Sequence, residues 1–171
     1  MNRKTLFLIL LILIVVFLVF YLRNRQERGP VTDGFEEVKL YFSTKDAMYL
    51  EAEKRKIEAG KSNKYEETIN ELIKGPASKE LNRTIPEGVK IREVRIEGNI
   101  AYLDFNQALV ANHWGGSTGE IMTVYSIVNT ITQFPEVDYV KILVEGQEIE
   151  TLAGHLDTSI VLEPDRNLIK E

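Results

Sequence analysis

The chain has 171 residues and no cysteine, so disulfides, thiolate metal sites and a lipid-modified cysteine anchor are all excluded. Residues 29–171 hold 16 Lys and Arg against 25 Asp and Glu, a net charge of −9 without a basic stripe, which argues against nucleic acid as a partner. A stretch of that length suits one domain and buries up to about 70% of its unfolded surface, enough for a core without covalent staples.

Thr5–Leu22 comes first in the chain and is its most distinctive stretch, eighteen residues with no charge and no helix breaker. As a helix it is roughly 27 Å long, against roughly 30 Å for the hydrocarbon core of a bilayer. It offers no polar stripe, so none of its faces prefers water. Arg3 and Lys4 precede it as the n-region of a signal peptide would. The run is nevertheless longer than an ordinary h-region and ends in Tyr21-Leu22-Arg23-Asn24-Arg25, with no small-residue cleavage site. An uncleaved signal-anchor is expected, with residues 1–4 as a cytoplasmic tail. Basic residues on the two sides nearly balance, so the orientation rests on a short tail followed by one long domain delivered outside.

Residues 23–36 are polar, contain Gly29-Pro30 and Asp33-Gly34, and read as a stalk. Val38–Phe42 alternates and is predicted as a strand. Met48–Glu58 fits either a charged helix or an alternating edge strand, and on the residues alone the helix is slightly favoured. Asn63–Lys74 is a predicted helix with Asn63 as cap, Glu66 as capping-box partner, and Tyr65, Ile69, Leu72 and Ile73 on one face; Gly75-Pro76 ends it. Val89–Ile96 and Ile100–Phe105 form a predicted hairpin around Glu97-Gly98-Asn99, with a phase shift that implies a bulge near Arg92. Ser117–Phe134 is the longest helix pattern of the domain, with Ser117 and Glu120 as a capping box. Tyr139–Val144 is a further strand, and Glu148–Leu162 a short strand and irregular tail. The order of elements implies an α+β domain: a small, mainly antiparallel sheet with two helices packed on one face.

Six stretches taken together are similar to a known domain. They are Lys39–Phe42, Glu71–Pro76, Ile85–Val89, Ala101–Asn106, Gly116-Ser117 with Ser126–Thr130, and Val144–Gly146 with Leu152–Asp157. In this order, over about residues 38–162, the chain resembles the GerMN domain of GerM-type sporulation and spore-germination proteins. The resemblance implies a small α+β domain outside the membrane of endospore-forming and some other Gram-positive bacteria. It further implies a non-catalytic part in envelope or spore assembly or germination, and a strand over Met48–Ile57 in place of the helix. Two departures stand out. Many relatives are lipoproteins, whereas this chain offers a hydrophobic span, and Asn106 stands where the family commonly has serine, which argues against chemistry needing a hydroxyl there.

Gly115-Gly116-Ser117-Thr118-Gly119 fits G-x-S-x-G, and Asp138 and His155 follow in the chain order of an α/β-hydrolase triad. The motif lacks the preceding strand and the large doubly wound sheet that a nucleophile elbow needs, and Ser117 already serves as a predicted helix cap. The two histidines, His113 and His155, lie in no metal-ligand spacing. His155 with Asp157 as a metal pair, and Asp104 with Glu120 as a glycosidase pair, are weaker than structural roles for the same residues. No catalytic residue, cofactor or metal is expected.

Asn106–Gly119 is long for a connection and holds the only tryptophan. Such loops are often functional and tryptophan is enriched at binding hot spots, although an indole folded back over the sheet is an equal reading. Asn106, His113, Trp114, Gly115 and Gly116 form the candidate interaction surface. The expected organisation is a tail over 1–4, a transmembrane helix over 5–22, a stalk over 23–36, a GerMN-like domain over 37–163 and a tail over 164–171. The expected role is an extracytoplasmic interaction module for sporulation, germination or envelope assembly. Its expected partners are the membrane, envelope or sporulation proteins or peptidoglycan, with oligomers possible through strand edges. The alternatives are a peptidoglycan-binding or hydrolysing protein and an accessory to a membrane signalling protein.

Overall fold

Phe35–Thr44 (β1) and Leu50–Glu58 (β2) form a long antiparallel hairpin, in register from Phe35 opposite Glu58 to Ser43 opposite Leu50. The computed structural model that shows this describes residues 34–58 and 63–170. The anchor expected at Thr5–Leu22, the tail before it and most of the stalk lie outside the described residues. Among the described residues, no helix is long and apolar enough to cross a membrane.

Val38, Leu40 and Phe42 alternate along β1 and are buried, as a two-residue period requires. Their opposite numbers on β2 are Arg55, Glu53 and Glu51. Glu53 accepts from the backbone N–H groups of Ala77 and Ser78 at 3.0 Å each, and Arg55 donates to the carbonyls of Glu71 and Gly75 at 3.1 and 3.2 Å. These partners hold the charged alternation of β2 as a strand. The slight preference of the residues for a helix here is overturned, and the resemblance was right. Leu81–Asn82 (β3) pairs with the end of β1, so the first sheet runs β2-β1-β3.

Lys64–Lys74 (α1) starts at Asn63, whose side chain accepts from Tyr65 N at 3.1 Å, and buries Ile69 and Leu72. Arg83 covers its C-terminal end by donating to the carbonyls of Ile73 and Lys74 at 2.7 and 2.8 Å, oxygens a helix leaves without internal partners. Ile91–Glu97 (β4) and Ile100–Phe105 (β5) form the expected hairpin, with a register shift between Ile91 and Glu93 around Arg92.

β5 then pairs in parallel with Tyr139–Val144 (β6), and Gln147–Glu148 (β7) completes a second sheet ordered β4-β5-β6-β7. A parallel pair needs a crossover. Residues 106–138 supply it with the single turn Ala108–Ala111 (α2) and the long helix Ser117–Ile131 (α3). The expected single sheet is thus two sheets, and one of its pairs is parallel. Each helix touches strands of both sheets: α1 touches β1, β2 and β4, and α3 touches β1, β6 and α1.

Val124, Ile127, Val128 and Ile131 of α3 are fully buried in a core shared with Leu40, Phe42, Leu103, Phe105, Val140 and Ile142. The free side of β1 is finished by the same helix and its exit. Tyr41 N donates to Thr130 Oγ1 at 3.1 Å, Lys39 N donates to Gln133 Oε1 at 2.8 Å, and Gln133 Nε2 returns a bond to Lys39 O at 2.8 Å. One glutamine amide thereby occupies the place of a neighbouring strand. The C-terminal segment also stays on the domain, through a bridge from Leu162 to Val140 and another from Ile169 to Leu50.

Candidate functional site

The connection after β5 is built by side-chain amides before it reaches its tryptophan. Asn106 N donates to Lys90 O at 3.0 Å, its Oδ1 accepts from Lys90 N at 2.9 Å and its Nδ2 donates to Gly88 O at 3.0 Å. Asn112 reaches Glu87 O at 2.7 Å. Both residues therefore serve the Glu87–Lys90 turn.

His113 fixes the next step. Gly115 N donates to its Nδ1 at 3.0 Å, so the ring proton sits on Nε2, 3.1 Å from Thr123 Oγ1, which in turn donates to Thr84 O at 2.7 Å. Burial holds the imidazole below its ordinary pKa against the opposing charge of Glu120. Trp114 stacks on this ring with centroids 5.3 Å apart and planes 26° from parallel. Gly115 and Gly116, both at φ +78°, then swing the chain into α3. A Cβ at either would meet nothing within 4 Å, so the backbone conformation, not space, requires glycine there.

Trp114 ends up 52% exposed, lying across the first turn of α3 above Gly119. Beside it runs a groove of about 270 Å³, walled by Ser43 and Ala47 of the first hairpin, Asn82 of β3 with Arg83 just after it, and Thr118, Gly119 and Met122 of α3. Ala47 takes the left-handed conformation at φ +56° in the hairpin tip, next to the exposed Met48 and Tyr49. The groove thus brings an indole, a small apolar rim and the positive end of a helix to one place, a surface suited to binding.

The capping box expected at the start of α3 does not form. Gly116 is the N-cap, no side chain caps the helix, and Glu120 turns inward, fully buried. Its carboxylate accepts from Leu152 N and Ala153 N at 2.8 and 2.9 Å and from His155 N at 2.8 Å. Asp104 accepts from Gly146 N at 2.7 Å and pairs with Arg92 at 3.0 Å, and Asp138 accepts from Asn99 at 2.8 Å. The carboxylates of the motif readings are therefore each engaged in holding a loop. Ser117 follows a short helix and two glycines rather than a strand. Among the described residues, no group of three or more His, Asp or Glu could hold a metal ion.

Of the five residues in the candidate surface, Trp114 lines the groove, His113, Gly115 and Gly116 shape its support, and Asn106 serves a separate turn. Ala47, Arg83, Gly119 and Met122 were not anticipated. Gly119 carried a signal, since a glycine three residues into a helical pattern calls for a packing reason.

The family model for sporulation and spore germination, Germane, matches residues 39–150. Among solved structures, a lipoprotein of Clostridium perfringens is 28% identical with a TM-score of 0.55, covering 79% of this chain and 91% of its own. The tandem GerMN domains of the sporulation protein GerM from Bacillus subtilis are 22% identical with a TM-score of 0.62, covering 78% of this chain and 46% of theirs. The first GerMN domain of the same protein is 22% identical with a TM-score of 0.57, covering 77% of this chain and 98% of its own. These likenesses carry the α+β fold. No curated protein matches the chain.

Proposed function

This chain belongs to the Germane family of sporulation and spore germination, and from that membership we propose that it is a membrane-anchored, non-catalytic interaction module working outside the cytoplasm. Its task is to capture an envelope or sporulation protein, or cell-wall material, during sporulation, germination or envelope assembly. Thr5–Leu22 is the anchor in this reading. The lipoprotein relative supports a membrane-bound position reached through different chemistry.

The observation that carries the reading is the half-exposed indole of Trp114, held by a stacked, hydrogen-bonded His113 and seated on a glycine at the rim of a groove. A rigidly presented aromatic loses little conformational entropy on binding, which favours it as an anchor residue.

The test is crosslinking and pull-down of the tagged full-length protein from sporulating and vegetative membranes, beside Trp114→Ala. Recovery of specific envelope proteins that the substitution diminishes supports the module. Recovery of glycan fragments favours wall binding, with purified peptidoglycan as the next ligand. An unchanged set of partners in a folded Trp114→Ala protein removes the groove from the proposal. Because the chain has no cysteine, one introduced into the domain and challenged with a membrane-impermeant thiol reagent on intact cells reads the topology directly.

A further inference from the structure

The two edges of the first hairpin are finished differently. On β1 the outward backbone groups of Lys39 and Tyr41 are taken by Gln133 and Thr130, and Ser43 pairs with Asn82 of β3. Those residues point away from β2, so Val38, Leu40 and Phe42 bond across to Arg55, Glu53 and Glu51. The even-numbered residues of β2 therefore present their N–H and C=O groups outward. At one end Leu50 O accepts from Lys170 N at 2.8 Å, and at the other Glu58 N donates to Glu67 Oε1 at 3.2 Å. Between these closures the backbone groups of Ala52, Lys54 and Lys56 have no partner among the described residues. The open run is about 17 Å long at the usual rise of a strand.

Its charge runs against that of the domain. Lys54 and Lys56 are exposed, and opposite them on the same face stand the exposed Lys39 and Glu37. Glu37 pairs with Lys54 at 2.8 Å. Lys39 and Lys56 have no ion-pair partner among the described residues, and Lys39 lies directly opposite Lys54, an arrangement that costs stability in a sheet. Two lysines thus line one short open edge, with a third one strand behind them on the same face, in a domain whose net charge is −9.

We propose that the Ala52–Lys56 edge receives an extended, acidic segment of another protein as an added strand. The outward N–H and C=O groups supply the ladder, and Lys39, Lys54 and Lys56 select carboxylates on the lysine-bearing face of the incoming strand. A second copy of β2 is a poor occupant. Antiparallel pairing about Lys54 sets lysine against lysine, the next register toward Glu58 sets Lys54 against Lys56, and the one toward Leu50 collides with the Ile169–Lys170 closure. The same lysines keep the edge from indiscriminate pairing. This edge shares no residue with the Trp114 groove, so each can fail without the other.

The test uses the full-length protein in detergent and two fluorescent peptides of seven residues, one alternating Val and Glu, the other alternating Val and Lys. The Glu peptide is expected to bind about tenfold or more tightly than the Lys peptide and to slow amide exchange at Ala52, Lys54 and Lys56. Lys39→Glu combined with Lys56→Glu should abolish or invert that preference. Lys54→Pro removes one outward donor while leaving the β1 ladder in place, and should weaken binding by about fivefold or more. Equal binding of both peptides, exchange protection at the Trp114 loop in place of β2, or full binding by a folded Lys54→Pro protein would overturn the proposal. The exchange pattern on the unsubstituted protein decides the site even if a variant fails to fold.

Discussion

The indole of Trp114 and the α-carbon of Gly119 are fitted to one another: a Cβ at residue 119 would stand 2.7 Å from Nε1 and 2.9 Å from Cδ1 of the ring. The smallest substitution at Gly119 therefore moves the most exposed aromatic ring of the groove without touching it chemically. Gly119→Ala should raise helix propensity by up to about 1 kcal/mol and lose a comparable amount to displacement of the indole, leaving stability nearly unchanged. Since Trp114 is the only tryptophan, its emission maximum and acrylamide quenching report the displacement. An unaltered spectrum in a folded Gly119→Ala protein would show that the ring does not rest where it is described.

Glu120 is expected to matter for stability. Its buried carboxylate answers three backbone N–H groups of the 152–155 loop. Glu120→Ala should cost about 3 kcal/mol, because the N–H of Leu152 is left buried without a partner and those of Ala153 and His155 lose a charged one. In a domain of this size that corresponds to a fall in Tm of roughly 10 °C. Thermal unfolding followed by circular dichroism measures it, and a fall of only a degree or two would mean that water replaces the carboxylate.

Acid should weaken the contact between α1 and the turn before β6. Lys64 at 2.6 Å and the Tyr65 hydroxyl donate to Glu136, and these bonds hold its carboxyl at about 2 against an ordinary 4.5. A carboxyl depressed by folding stabilises the domain fully above its unfolded pKa and loses that contribution as pH falls from about 4.5 toward 2. The pair is largely solvated, so the expected contribution is under about 1 kcal/mol. Urea unfolding of Glu136→Gln should show a flatter pH dependence over this window than the parent.

His113 should behave in the same sense at higher pH. Its Nδ1 accepts from Gly115 N at 3.0 Å, and burial holds its pKa below the ordinary 6.5. The neutral ring favoured in the fold gives stability that is present above the unfolded pKa and declines as pH falls below about 6.5. Protonation puts a second N–H against that of Gly115, so the Trp114 turn should loosen first. Imidazole NMR titration alongside tryptophan emission checks both statements, and a His113 pKa above 6.5 would contradict them.

Gln133→Ala should uncover the β1 edge by removing both bonds to Lys39, made at 2.8 Å each. A loss of about 1–2 kcal/mol is expected for two partly solvated bonds. Faster amide exchange at Lys39 with Leu40 unchanged would localise the effect, whereas uniform exchange along β1 would mean the whole hairpin depends on this glutamine.

The local elements were largely readable. Asn63, Gly75 and Gly98 carry start, stop and turn chemistry that the fold uses as written, and the phase slip at Arg92 is a real bulge. What periodicity could not show was pairing. Nothing in Ile100–Phe105 distinguishes a neighbour joined by a hairpin from one reached through a helical crossover, so one sheet became two. Met48–Glu58 satisfied both periods, and only the partners of Glu53 and Arg55 choose between them. The capping box at Ser117 failed for a related reason: Glu120 had the right spacing, but a loop more than thirty residues later offers it three donors. At the candidate site the tryptophan and its glycines were legible, while the opposite wall, Ala47 and Arg83, comes from segments that tertiary folding alone brings there.

The bonds between Gln133 and Lys39 span 94 residues, and Lys170 closes the start of β2. The first hairpin therefore lacks part of its hydrogen bonding until residue 170 is available. At synthesis rates of roughly 5–20 residues per second, the hairpin waits on the order of ten seconds for its partners. Contacts so distant in sequence also favour slow folding. A chain built this way holds its first hairpin incomplete during synthesis, so that segments made more than a hundred residues apart must meet before the sheet is closed.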